Sequence, residues 1–199
     1  MKTVALMSQK GGSGKSTIAV HLAVAAWQAR RRITVIDCDP QATVGAWYRA
    51  RENVNPPVAV VAVSELEKTI SAAEDADFEL VLIDSAPHVG PDAVRIARLA
   101  NLAIIPVQPS PIDVGALPAT VDITRAANCH TVIVLSRCPS RSLDIDITRQ
   151  AIQQMQLELA PVLIGDRPCF AVHWHQAWPL PKASPRAQPP TKSKNFIDG

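Results

Sequence analysis

The stretch SQKGGSGKST at residues 8–17 combines the residue types that bind phosphate groups in proteins. Its glycines, Gly11, Gly12 and Gly14, allow successive backbone N–H groups to approach phosphate oxygens closely. The apolar run before the stretch predicts a strand. The run after it predicts a helix, whose N-terminus adds the positive end of its dipole. This strand–loop–helix order is the context in which such a loop binds a nucleotide.

The side chains of this loop suggest separate roles at a bound nucleotide. Lys15 is spaced to reach the β- and γ-phosphates, Ser16 to ligate Mg²⁺, and Thr17 to contact the α-phosphate. The common pattern G-x-x-x-x-G-K-[ST] requires glycine at position 9, where this chain has Gln9. The loop instead fits K-G-G-x-x-K-[ST], in which Lys10 is an additional lysine. Taken alone, Lys10 is also consistent with a solvated loop charge.

Two acidic stretches follow in an order that suits the same site. In VIDCDPQ, Asp37 and Asp39 end a predicted strand, and alternate residues of an extended chain point to the same side. Both carboxylates are therefore expected to face Mg²⁺ and the attacking water. In LVLIDSAP, Asp84 suits the Walker B role of holding Mg²⁺ directly or through water. Either stretch alone favours an aspartate that caps a turn, but together with the loop they favour a nucleotide site.

Short apolar runs alternate with longer helical patterns along the chain. Most runs are apolar throughout, which is typical of strands buried on both faces of a parallel sheet. We expect strands at residues 3–7, 33–37, 58–63, 80–84, 102–107 and 131–135, and a shorter one at 162–165. We expect helices at residues 15–29, 64–73, 91–100, 114–127 and 144–159.

Local signals mark where several of these helices begin. Ser64 is a predicted N-cap with Glu67 in the capping-box position, and Pro91 suits the first helical position. Pro118 predicts either a break in the fourth helix or its true start. The strand–helix alternation predicts a doubly wound α/β fold, with a mostly parallel sheet flanked by helices and right-handed crossovers.

The C-terminal part of the chain differs in composition from the rest. The net charge of the whole chain is +2, yet residues 167–199 contain five Lys or Arg and one Asp. Six of the 17 prolines also lie in this part, between Pro168 and Gly199. We therefore predict one domain at residues 1–170 and a Pro-rich basic tail at residues 171–199 that is irregular or disordered.

The remaining composition indicates a cytoplasmic protein. The four cysteines lack C-x-x-C spacing, which favours reduced thiols over a zinc site or a disulfide framework. No stretch approaches 18 uninterrupted apolar residues, and the N-terminus lacks a cleavage site of the signal-peptide type.

These motifs together resemble the ParA/MinD family of deviant-Walker P-loop ATPases, and within it the small plasmid-partition ParA proteins. The resemblance rests on K-G-G-x-x-K-[ST], the two acidic stretches, IIPVQPSPIDVGAL at residues 104–117 and IGDRPCF at residues 164–170. It implies the P-loop NTPase fold and the ligands ATP and Mg²⁺. The chain has no guanine-reading N-K-x-D, which agrees with ATP.

The resemblance also assigns roles to individual residues. It implies that Lys10 reaches across a nucleotide-sandwich dimer into the partner's site, and that Asp39 positions the attacking water. The implied catalytic residues are Lys10, Lys15 and Asp39. The implied nucleotide-binding residues are Lys10, Gly11, Gly12, Ser13, Gly14, Lys15, Ser16 and Thr17, with Asp166, Arg167 and Pro168 near the adenine. The implied metal site consists of Ser16, Asp37 and Asp84.

The function implied by this family is partition of plasmid or chromosome DNA. Such a protein dimerises on ATP, binds DNA nonspecifically at the nucleoid, and hydrolyses ATP weakly until a ParB-like centromere-binding partner stimulates it. No stable membrane association is expected.

The match ends near Phe170, where prolines prevent the C-terminal amphipathic helix that is usual in the family. Two alternatives therefore stay open, a nucleotide-binding paralogue with a disrupted C-terminus and a MinD-like membrane-associated regulator. An enzyme that transfers phosphate to a small acceptor is a further alternative, but it leaves Lys10 unexplained.

Overall fold

The computed structural model describes residues 1–51, 53–88, 90–140 and 142–166. The strands in this part of the chain are β1 (Lys2–Leu6), β2 (Ile33–Asp37), β3 (Val58–Val60), β4 (Leu80–Asp84), β5 (Leu102–Val107), β6 (His130–Cys138) and β7 (Leu159–Gly165). Its α-helices are α1 (Lys15–Gln28), α2 (Thr43–Arg49), α3 (Leu66–Asp75), α4 (Pro91–Leu99), α5 (Pro111–Ala126) and α6 (Leu143–Gln154). The predicted tail, together with Arg167 and Pro168, lies outside the described residues.

The strands form one sheet in the order β3-β2-β4-β1-β5-β6-β7, and every neighbouring pair is parallel. This confirms the predicted α/β class. The register places Asp84 opposite both Leu6 of β1 and Asp37 of β2. The loops that follow these three strands therefore start side by side at the carboxyl edge of the sheet, where ligands of such folds bind.

Helices cover both faces of the sheet. On β1, Leu6 packs into the core beneath α1 and α2, while Ala5 packs into the core beneath α3 and α4. Helices α5 and α6 continue the second layer over β5 and β6, around Ile105 and Ile133. Because both faces of the central strands are buried, runs such as β2 and β4 are largely apolar, as the sequence indicated. The edge strand β7 instead exposes Val162 and Leu163.

Helix α2 is an element that the sequence analysis missed. Its sequence TVGAWYR is short and contains Gly45, a poor helix former. The helix is anchored by tertiary contacts: Val44 and Trp47 are buried, and the Gly45 amide donates a hydrogen bond to the Asp37 carboxylate at 2.9 Å. Local sequence patterns do not indicate such tertiary contacts.

Three predicted helix boundaries are wrong. The Ser64 side chain caps no helix, because a 3₁₀ turn at Val63–Glu65 leads into α3. The fourth predicted helix begins earlier, at Pro111, with the Ser110 hydroxyl as its cap, so Pro118 lies inside it. Helix α6 ends at Gln154, and Leu159, its predicted last residue, begins β7. Pairing with β6 converts this segment to a strand, which is a tertiary effect.

Candidate nucleotide site

The phosphate-binding loop connects β1 to α1, as predicted. Gly12 and Gly14 adopt left-handed backbone conformations, with φ of 75° and 101°, which favour glycine over residues with a side chain. Gly14 is the N-cap of α1, and its carbonyl accepts the first helical hydrogen bond from the Ile18 amide at 2.9 Å. The glycines at these positions therefore match the left-handed backbone that leads into the N-terminus of α1.

Two side chains, at the ends of β5 and β6, hold the backbone of this loop. The buried Ser136 hydroxyl, on β6, donates to the Ser13 carbonyl at 2.6 Å. The Gln108 side-chain amide, just after β5, donates to the Gly12 carbonyl at 2.9 Å. Both bonds fix the backbone of the loop to the ends of neighbouring strands. Sequence reasoning missed both residues, since neither belongs to the loop motif.

Lys15 is buried beside two of the predicted acidic residues. Its side chain lies at the start of α1, and only 6% of the residue is exposed. Burial lowers the pKa of its ammonium group, while the nearby Asp84 and Asp39 oppose that decrease. The structure therefore brings together the lysine of the loop and one aspartate from each acidic stretch. A buried ammonium of this kind is suited to binding phosphate oxygens.

Asp84 is fully buried, and its carboxylate lacks hydrogen bonds of ordinary geometry within the described residues. Burial raises the pKa of Asp84 to about 7; Asp37 and Asp39 add to this increase, and Ser16 and Lys15 oppose it. A buried carboxylate with so few hydrogen bonds is costly unless a proton or a cation neutralises its charge. The residues present therefore fit Mg²⁺, with the Ser16 hydroxyl close to the carboxylate.

A magnesium ion held here would need further ligands. Within the described ranges there is no group of three or more His, Cys, Asp or Glu side chains that could hold a metal ion. Mg²⁺ commonly binds through one or two protein ligands plus substrate phosphates and water. The small protein donor set is thus typical of a site that binds the metal together with a nucleotide.

Asp37 is next to Asp84 in the sheet but is engaged with backbone amides. Its Oδ1 accepts a hydrogen bond from the Asp39 amide at 3.1 Å, and its Oδ2 accepts one from the Gly45 amide at 2.9 Å. Burial raises the pKa of Asp37, and these hydrogen bonds oppose the increase. Asp37 therefore fixes the loop between β2 and α2, and its predicted place at the metal stays a prediction.

Asp39 lies in that loop, on the same side as Lys15. Its Oδ1 accepts a hydrogen bond from the Gln41 amide at 2.9 Å, and 9% of the residue is exposed. The bond to the backbone orients the carboxylate beside Lys15.

Lys10 is paired within its own chain. Its ammonium lies 2.6 Å from Oδ2 of Asp113 on α5, an aspartate whose side chain is only 4% exposed. The Ser110 hydroxyl donates to the same oxygen at 2.5 Å, and it also caps the helix by accepting from the Asp113 amide. Asp113 was not among the predicted site residues, although it lies in the quoted segment 104–117.

Asp166, predicted to lie near the adenine, immediately follows β7. Its amide donates to the Cys138 carbonyl at 2.8 Å, and its carboxylate lies 3.7 Å from the Arg137 guanidinium. Ser136, which holds the phosphate loop, is on the same strand end. Asp166 is therefore at the same edge of the sheet as the loop, while the positions of Arg167 and Pro168 are not described.

A glycine-rich loop at the carboxyl edge of a parallel sheet, with a buried lysine and a buried aspartate beside it, defines a P-loop nucleotide-binding protein. The family model for the CobQ/CobB/MinD/ParA nucleotide binding domain matches residues 4–165, and the chain belongs to this family. The resemblance inferred from the motifs is thereby confirmed.

Two curated relatives and one solved structure illustrate the relationship. The maintenance of carboxysome distribution protein A of Gloeobacter kilaueensis is 30% identical over 145 residues, which is 71% of this chain and 66% of that protein. The chromosome-partitioning ATPase Soj of Thermus thermophilus is 30% identical over 158 residues, which is 63% of this chain and 64% of that protein. The chain thus spans slightly less than two thirds of the length of these relatives.

The solved structure is that of a McdA variant from Cyanothece in complex with ATP. It has a TM-score of 0.70 at 19% identity and covers 88% of this chain and 87% of its own, which shows a common fold. Within the described residues, no helix combines the length and the apolar composition that a membrane span requires.

Proposed function

We propose that this chain is a ParA-type partition ATPase that dimerises on Mg-ATP and hydrolyses it slowly until a partner protein stimulates it. The observation that carries the proposal is the second lysine of the phosphate loop, Lys10, near a site where Lys15, Asp39 and Asp84 are buried together. In a nucleotide-binding enzyme that acts alone, Lys15 already serves the phosphates, and Lys10 would have only its ion pair with Asp113. A lysine at the exposed entrance of the loop is suited to the phosphates of a second subunit.

Within one site, the chain's residues act by positioning and by charge. Lys15 and the loop amides bind the phosphates, and Ser16 and Asp84 hold Mg²⁺. Bound Mg²⁺ neutralises charge on the phosphate oxygens. Asp39 orients the attacking water by accepting its hydrogen bond. Lys10 of the second subunit adds positive charge where negative charge develops during phosphoryl transfer. The proposed adenine contacts are Asp166, Arg167 and Pro168.

The remaining parts of the proposal follow the family. A dimer formed on ATP would bind DNA nonspecifically through phosphate contacts. A ParB-like centromere-binding protein would then stimulate hydrolysis and release the DNA cargo. This places the protein in the cytoplasm at the nucleoid, with residues 1–170 as the ATPase domain.

The experiment is light scattering of the full chain, with Mg-ADP and then with a non-hydrolysable ATP analogue and Mg²⁺. The expected result is a monomer in ADP and a dimer with the analogue. Lys10→Ala should stay monomeric, whereas Lys68→Ala, which removes an exposed lysine of α3, should dimerise as the wild type does.

A wild-type chain that binds both nucleotides and never dimerises would contradict the proposal. It would favour the alternative of a nucleotide-binding paralogue without the switch. If dimers form, DNA and the partner should each raise ATP turnover, and turnover that instead depends on a small phosphate acceptor would point to a transferase.

A further inference from the structure

The ion pair that Lys10 forms within its own chain is a contact that the proposed function does not use. Lys10 is 41% exposed along its side chain and sits at the mouth of the phosphate loop, yet its ammonium is directed back to Asp113 of the same chain. The two residues are 103 positions apart, so the contact is specific to the fold. A lysine held in this way is not available to a second subunit.

The acidic partner is itself firmly held. Asp113 lies in the first turn of α5, its side chain is 4% exposed, and the Ser110 hydroxyl donates to the oxygen that binds Lys10. Gln108, in the same segment, donates to the Gly12 carbonyl of the loop. The segment 108–113 therefore contacts the phosphate loop at two points, and one of them is the ammonium of Lys10.

We infer that Asp113 is a positioning residue, which holds Lys10 against its own chain and thereby raises the ATP requirement for dimerisation. The inference rests on the proposed function, because it assumes that Lys10 serves the other subunit. Moving Lys10 leaves the buried Asp113 without its counterion, which has a free-energy cost. Assembly of two subunits must overcome that cost twice. The ion pair therefore favours the monomer when little ATP is bound.

The location of the ion pair agrees with this inference. Ile112, the residue before Asp113, is 76% exposed although it is a large apolar side chain. The exposed loop residues Gly11 and Gly12 lie on the same edge, so Lys10 is restrained at an open face of the site.

The test variant is Asp113→Asn, which removes the charge and can retain the bond from Ser110. The matched control is Asp144→Asn, on α6. Asp144 also lies in a first helical turn and accepts from a capping serine, Ser142 at 3.0 Å, but no lysine contacts it in the described part of the chain. The measurement is the concentration of ATP analogue that gives half-maximal dimer by light scattering.

Asp113→Asn is expected to lower that concentration by about three- to ten-fold, as expected for the loss of a partly exposed ion pair in each subunit. Asp144→Asn should leave it unchanged. A wild-type chain that dimerises, with an Asp113→Asn midpoint equal to its own or higher, would overturn the inference and leave the proposed function standing. If no variant dimerises at saturating analogue, the proposed function fails and the inference fails with it.

A second readout tests the contact itself without nucleotide. Acetylation of lysine amines, followed by mass spectrometry, reports how accessible each ammonium is. Lys10 should react several-fold faster in Asp113→Asn than in the wild type, relative to the exposed Lys68 in the same molecule. Equal Lys10 reactivity in the two proteins would overturn the restraint even if the dimerisation midpoint had moved.

Discussion

The two halves of the nucleotide site differ in whether their charged side chains are already satisfied within the chain. In the inner half, at the ends of β1, β2 and β4, Asp84 is fully buried and its carboxylate has no hydrogen bonds of ordinary geometry among the described residues. In the outer half, between the loop and α5, the Lys10 ammonium is already paired with Asp113. The inner half is therefore preassembled for a ligand. The outer half must break an internal contact before it can bind anything else.

This difference implies that nucleotide binding and dimer assembly depend on different residues. The Asp84 carboxylate makes no hydrogen bonds of ordinary geometry among the described residues, so Mg²⁺ would stabilise it without breaking any. The cost of burying it has already been incurred in folding. A charge that is satisfied within the chain loses an interaction when it moves. Nucleotide binding should therefore be sensitive to inner residues, and the dimerisation threshold to outer ones.

The largest effect is expected from Lys15→Ala in the inner half. Removal of the buried ammonium should weaken binding of an ATP analogue by about 10- to 100-fold, because charge-assisted hydrogen bonds contribute about 1.5–3 kcal/mol each. Isothermal titration calorimetry measures the affinity. Lys10→Ala should change monomer affinity by less than about three-fold, and a similar loss in both variants would break the comparison between the halves.

Asp84→Asn should increase the stability of the nucleotide-free protein at pH 8 by about 1–3 kcal/mol, since it removes a charge whose cost of burial exceeds the stabilisation that Lys15 and Ser16 provide. The pKa of about 7 in the folded state lies above the ordinary 3.8. The folded state therefore retains a proton that the unfolded state has lost, and the stability contributed by this group falls as the pH rises from about 4 through 7.

Urea denaturation at pH 8 and near pH 4 measures this effect. The gain in free energy of unfolding for Asp84→Asn should shrink toward zero at the lower pH, because there the folded state holds the proton and the unfolded state holds it about half of the time. A variant that is destabilised at pH 8 would show that Asp84 has a stabilising partner in the free protein.

Gly45→Ala tests how closely α2 packs against β3 beside Asp37. A Cβ at Gly45 would lie 2.5 Å from Cγ2 of Val60, so the variant should lose about 1–3 kcal/mol of unfolding free energy. The control in the outer half is Gly115→Ala in α5, where a Cβ would meet no atom within 4 Å. Alanine there should leave stability unchanged or raise it by up to about 1 kcal/mol. Equal destabilisation of the two variants in urea would contradict the expected difference in packing.

The smallest effects are expected from the two side chains that hold the loop. Ser136→Ala removes a buried hydrogen bond to Ser13 and should weaken binding of the analogue about five-fold, since such bonds contribute about 1 kcal/mol. Gln108→Ala removes the more exposed bond to Gly12 and should have a smaller effect. Calorimetry on both variants orders them, and a larger effect at Gln108 would mean that the outer contact controls the loop.

Local patterns in the sequence were sufficient for most of the strands and for the backbone of the phosphate loop. Runs such as LVLID and ITVID predicted β4 and β2 with the boundaries that the structure has, because burial on both faces leaves an uninterrupted apolar signal. The loop glycines and Lys15 were predicted from spacing alone, since the left-handed backbone at Gly12 and Gly14 is a local requirement.

Contacts between distant residues were beyond such patterns. The Ser136–Ser13 bond joins residues 123 positions apart, and the Lys10–Asp113 pair joins residues 103 positions apart. Helix α2 depends on packing and on the Asp37 carboxylate rather than on helix propensity. Sequence alone thus determined which groups are present and on which strand ends they lie. Only the folded sheet decided which charges are paired and which are left for a ligand, because pairing depends on how the packed layers bring those strand ends and helix starts together.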